Sequence, residues 1–102
     1  MATLHTVNKS PFMTQTLVSC INHAKDGDAI LMIEDGVYGG MANTSLADAV
    51  KARAGALNIC VLSEDLEARG LDAARLVEGV SAVGYDGFVD LVAETDRTQN
   101  WL

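Results

Sequence analysis

Two short, mainly apolar runs, AILMI at 29–33 and LNICVL at 57–62, the first unbroken and the second interrupted only by Asn58, stand near the middle of the chain. Each has the length of a strand, and neither alternates polar with apolar as a strand with one wet face would. Such runs belong to parallel strands covered on both faces. What lies around them reads as helix. From Met13 onward, Met13, Leu17, Cys20, Ile21 and Ala24 recur at spacings of three and four, a stripe along one helical face. Ser10 and Pro11 are placed to cap and open that helix, and Gly27 to stop it. A second helix is expected over 44–54, with Leu46, Ala47, Val50 and Ala54 inward and Gly55 at its end.

The remaining segments repeat this alternation. ATLHTV (2–7) reads as a first strand. After LNICVL, Ser63 followed by Glu64 and Asp65 is placed to cap a short helix, with acids at its positive end and Arg69 and Gly70 closing it. A further helical turn is expected within 71–80. SAVGY (81–85) supplies a fourth strand, and Asp86 caps a helix whose Phe88, Val89, Leu91 and Val92 face a core. RTQNWL (97–102) is left as a tail. The pattern predicts an α/β fold built from βαβ units, with a small, mainly parallel sheet and helices on both faces, in one domain over 1–102.

Charge narrows the partners. Fourteen acidic residues against seven basic ones give −7. Nucleic-acid affinity depends on basic residues displacing counterions, so no direct nucleic-acid contact is expected. AILMI is far shorter than the roughly 20 residues that span a bilayer, and MATLHTVNKSPF has no basic leader ahead of an apolar stretch. A cytoplasmic chain without membrane contact is expected. Cys20 and Cys60 are too few for a disulfide framework and read as free thiols in a reducing compartment. A chain of 102 residues buries about two-thirds of its unfolded surface, so assembly with partners would add stability.

The strand ends are the places to look for chemistry. In EDGVYGG (34–40) the glycines do not have dinucleotide or P-loop spacing, and Glu34 and Asp35 repel phosphate. These two carboxylates read as a solvated turn or an acid/base pair, and Tyr38 as a packing or interface aromatic. Cys20 and His23 form a C-x-x-H pair, neighbours at i and i+3 on a helix, in which the imidazole could activate the thiol. Against this, Cys20 shares the apolar stripe and lies near the helix's C-terminal end, where the dipole opposes a thiolate. Cys60 reads as a small core residue and His5 as a satisfied buried histidine. No common zinc spacing joins the histidines and cysteines, so neither metal nor organic cofactor is expected.

LHTVNKSPF, EDGVY, LSEDLEARGL, YDGFVDLV and the closing NWL occur in an order that resembles the DsrH/TusB family over nearly the whole chain. The resemblance implies a subunit of a heterohexameric sulfurtransferase complex of the DsrEFH or TusBCD kind, built with DsrE/TusD-like and DsrF/TusC-like partners. In such complexes sulfur arrives as a persulfide on a TusA-like donor and leaves to a DsrC/TusE-like acceptor, by thiol exchange and with no cofactor. The principal active cysteine belongs to the DsrE/TusD-like subunit. A first-helix cysteine, matched here by Cys20, is a DsrH-type feature; it makes Cys20 a candidate persulfide carrier and points to sulfur oxidation. The alternative is a TusB-like noncatalytic subunit of the relay for tRNA wobble 2-thiouridine. A stand-alone small-molecule enzyme finds no support in the motifs. Two further expectations follow: that the apolar VYGGMA (37–42) is a surface to be covered by partners, and that the acidic surface docks basic carriers in a salt-sensitive way.

Overall fold

The computed structural model describes residues 2–102. Its elements run β1 (Thr3–Val7), α1 (Thr16–His23), β2 (Ala29–Met32), a 3₁₀ segment (Glu34–Gly40), α2 (Ala47–Arg53), β3 (Asn58–Leu62), α3 (Ser63–Ala68), a second 3₁₀ turn (Ala73–Arg75), β4 (Ser81–Val83), α4 (Tyr85–Glu94) and β5 (Arg97–Trp101). The five strands form one sheet in the order β4-β3-β2-β1-β5, and every neighbouring pair is parallel. The α/β fold with a parallel sheet and helices on both faces is therefore present, with one strand more than the sequence reading contains.

Side-chain alternation divides the core into two layers. Val7, Ile30, Met32, Ile59 and Val61 face one way and meet Leu17, Cys20 and Ile21 of α1, Val50 of α2 and Leu66 of α3. Leu4, Ala29, Leu31 and Cys60 face the other way and meet Leu91 of α4. Strand order explains the unequal cover. From β1 to β4 each step moves in the same direction across the sheet, and right-handed crossovers then place successive helices on one face. The step from β4 to β5 runs back past three strands, so its helix, α4, lies on the opposite face.

Several expectations are corrected. RTQNWL is not a tail: residues 97–101 pair with β1 over five register positions, from Thr3 with Arg97 to Val7 with Trp101. Ser10 and Pro11 do not start α1. Ser10 closes a separate turn, its carbonyl accepting from Met13 and Thr14 and its hydroxyl from Phe12 N–H; Met13 points to solvent. Ser63 is the first residue of α3 rather than its cap, and Asp86 lies within the first turn of α4. Val89 and Val92 do not face the core; Val89 is 66% exposed, while Leu91 is buried.

The 3₁₀ segment also differs from the loop expected at EDGVYGG. Val37, Gly39, Gly40 and Met41 are buried, so most of VYGGMA is core and not an uncovered surface, with Tyr38 half-buried and Ala42 exposed. Its glycines permit this. A methyl group on Gly36 would run into the Val7 carbonyl, one on Gly39 into Leu17, and one on Gly40 would stand 2.7 Å from Val61 Cγ1. The segment thus lies directly against the carboxyl end of β1 and the side chains of β3.

Candidate functional site

A buried polar group joins the amino ends of β1 and β2 to β5. His5 and Asp28 are almost wholly enclosed. Trp101 Nε1–H donates to His5 Nδ1 at 3.0 Å. An indole nitrogen can only donate, so the proton of the neutral ring sits on Nε2 and faces Asp28 Oδ2 at 2.9 Å. Asp28 also accepts from the backbone N–H of Thr3 at 3.0 Å and of Lys25 at 3.1 Å. Burial pushes its carboxyl pKa up, but the His5 hydrogen bond and the two backbone donors outweigh that and hold it below the usual carboxylate value. His5 is satisfied as expected, and both its ring nitrogens are engaged, which leaves no lone pair to act as a general base. The sequence reading does not single out Asp28, although an acid directly before AILMI, at the mouth of a strand buried on both faces, is the available signal.

This group floors a cleft of about 590 Å³. Thr3, Arg97 and Gln99 line it from the paired ends of β1 and β5, His23 from the last turn of α1 and Lys25 from the turn that follows. Arg97 Nε–H donates to Thr3 Oγ1 at 3.0 Å. His23 packs edge-on against Trp101, with ring centroids 5.5 Å apart, and against His5 at 6.2 Å.

Cys20 is placed differently from the accessible thiol that sulfur loading requires. It is 0% exposed, packed in the layer beneath α1. Burial, with the Asp28 carboxylate adding to it, pushes its pKa up to about 12. The C-x-x-H pairing with His23 is not made: the imidazole turns to Trp101 and His5, and no hydrogen bond joins it to Cys20 among the described residues. Cys60 is a buried residue of β3 among Leu4, Leu31 and Leu91; burial raises its pKa too, and its thiol donates to Asn58 Oδ1 at 3.4 Å.

At the carboxyl ends of the strands, Asp35 pairs with Arg69, whose Nη2 lies 2.9 Å from Asp35 Oδ1. Glu34 is exposed, and its backbone N–H donates to Asp65 Oδ2 at 2.7 Å. The two carboxylates therefore form no acid/base pair; one is an ion-pair partner, and the N–H of the other ties the 3₁₀ segment to α3. Tyr38 packs near Phe12, with ring centroids 6.0 Å apart. Among the described residues no cluster of three or more metal-ligating side chains occurs, and no helix is long and apolar enough to cross a membrane.

Comparison with known proteins agrees with the resemblance. The family model described as "DsrH like protein" matches residues 9–98. Protein TusB of Erwinia tasmaniensis is 33% identical over 96% of this chain and 99% of its own length. Protein TusB of Photorhabdus laumondii subsp. laumondii is 35% identical over the same shares. Among solved structures, the YchN protein of E. coli superposes with a TM-score of 0.82 over 98% of this chain and 99% of its own at 12% identity. A protein of unknown function, MTH1491 from Methanobacterium thermoautotrophicum, superposes with 0.75 over 97% and 96% at 19%. These two likenesses concern the fold alone; the full-length sequence matches go further, and on them the chain belongs to the DsrH/TusB family.

Proposed function

We propose that this chain is an assembly subunit of a cytoplasmic sulfur-relay complex in which the sulfur-bearing cysteine belongs to a DsrE/TusD-like partner. Family membership supports the relay. The observation that carries the noncatalytic role is the burial of Cys20: thiol exchange needs a thiolate that can reach the outer sulfur of the donor persulfide, and Cys20 offers neither the thiolate nor the access. The surface available to partners is on α4 instead of VYGGMA. Tyr85, Val89 and Val92 make an exposed apolar stripe, and with Phe88 and Ala93 at its centre lies an apolar groove of about 290 Å³. Asp86, Asp90 and Glu94 flank it, so a partner face with an apolar centre and a basic rim fits.

Of the two branches of such relays, a reactive Cys20 is the ground for sulfur oxidation, and its burial removes much of that ground. The relatives named TusB favour the tRNA 2-thiouridine branch, in which this acidic chain positions its partners without touching RNA itself. The test is to assemble the chain with its DsrE/TusD-like and DsrF/TusC-like partners and incubate the complex with a persulfidated TusA-like donor. Mass spectrometry is expected to find the added sulfur on the partner's cysteine, with the Cys20 peptide unchanged. A gain of one sulfur atom on Cys20 would make this subunit a carrier. Measuring wobble 2-thiouridine in cells lacking the gene separates the branches, with loss of the modification expected.

A further inference from the structure

We infer that the cleft at the amino ends of β1 and β5 binds a small molecule carrying an oxyanion, a phosphate ester or carboxylate. The cleft's charge stands out in this chain. Of its seven basic residues, Lys51, Arg53 and Arg69 are held in ion pairs with Glu78, Asp26, and Asp35 and Asp65. The other four, Lys9, Lys25, Arg75 and Arg97, make no ion pair among the described residues, and two of them, Lys25 and Arg97, line this one cleft. The carboxylate there, Asp28, does not neutralise them. Its oxygens already accept from Thr3 N–H, Lys25 N–H and His5, and it is almost wholly buried in the floor. Two unpaired cations therefore share the cleft with one carboxylate whose oxygens are taken up by protein donors, in a molecule of net charge −7.

The geometry is that of a recognition site. Thr3 Oγ1 holds Arg97 by its Nε–H, which fixes the guanidinium plane and leaves its terminal N–H groups for an oxyanion, the planar fork that suits carboxylate and phosphate. Lys25 adds a mobile point charge from the facing turn, and the Gln99 amide and His23 ring supply polar contacts beside it. The volume, about 590 Å³, lies in the range of small-molecule pockets and is ample for an organic body behind the anionic group. The location is unusual for an α/β sheet, whose ligands collect at the carboxyl ends. It is also separate from α4, so occupancy here and subunit docking there are compatible.

The test is a titration of the full-length chain with inorganic phosphate, followed by ¹H–¹⁵N spectra at constant pH and ionic strength. Expected are saturable shifts at the amides of Thr3, Lys25 and Arg97 and at Arg97 Nε–H. Lys25→Gln and Arg97→Gln should each weaken binding about tenfold, the loss of one charge-assisted hydrogen bond, while Arg75→Gln, a cation away from the cleft, leaves it unchanged. Lys25 is exposed, so its variant folds even if Arg97→Gln loosens β5. Shifts that fail to saturate, that spread equally over Lys9 and Arg75, or that survive Lys25→Gln with unchanged affinity would overturn the assignment.

Discussion

Asp28 is the residue on which most hydrogen bonds converge at the amino end of the sheet, and its replacement tests what that group is for. Asp28→Asn places an amide N–H₂ where donors already point, leaving buried groups unmatched, and should cost about 2–4 kcal/mol in a urea titration. The pH dependence has a definite sign. Because the folded pKa of Asp28 is depressed, its contribution is complete above the unfolded value of about 3.9 and is lost as pH falls through the lower folded value. Acid unfolding below about pH 4 should therefore be steeper in the native chain than in Asp28→Asn. Cys60 makes a different case. A hydroxyl in an apolar strand is usually costly, yet in Cys60→Ser it inherits the Asn58 carbonyl as acceptor, so the loss should stay near 1 kcal/mol, with partner-dependent sulfur transfer per folded molecule unchanged.

Elements differ in how far the sequence discloses them. AILM and the ICVL of β3 are legible because a stretch of strand buried on both faces has to be apolar throughout, and α1 because Leu17, Cys20, Ile21 and Ala24 share a face. β5 is illegible for the converse reason. Its residues are polar and mostly exposed, and what holds them is backbone pairing with β1, Thr6 Oγ1 on Asn100 at 2.6 Å, and Trp101 on His5, contacts spanning more than ninety positions that no local pattern encodes. The inward turn of VYGGMA is missed because its cause is the room that glycines leave, which composition reports only as flexibility. The site shares this fate. His5 is recognisable as a satisfied histidine, but its partners come from β5 and from the turn before β2. Gly36→Ala probes the packed 3₁₀ segment: its methyl meets the Val7 carbonyl, and backbone yields less than a side chain, so thermal unfolding should show a loss of about 3 kcal/mol.

For the whole molecule, the unequal cover of the two sheet faces is what the proposed partner interface on α4 rests on. One face carries three helices and the 3₁₀ segment, whereas the other carries α4 alone, with Tyr85 57% exposed and Val89 more so. Val89→Glu adds charge to an already solvated position and should leave the melting temperature within the narrow range of ordinary surface changes. It should nonetheless abolish co-elution with the homologous subunits in size-exclusion chromatography, since a charge buried in an apolar contact has no compensating partner. Co-elution retained by Val89→Glu would move the interface away from α4.

The place of β5 beside β1 has a kinetic consequence. Every other strand pair links elements next to one another in the chain, so β1 through β4 can zip together by short closures. The pairing of β1 with β5 closes a loop of nearly the entire chain, and until it forms, one rim of β1 stays bare, an adhesive strip for any extended segment nearby. Refolding at high concentration should therefore lose material to aggregation before β5 docks. In native-state hydrogen exchange the amides of β5 should open well below the global unfolding free energy, while those shared by β2 and β3 open only with the whole fold.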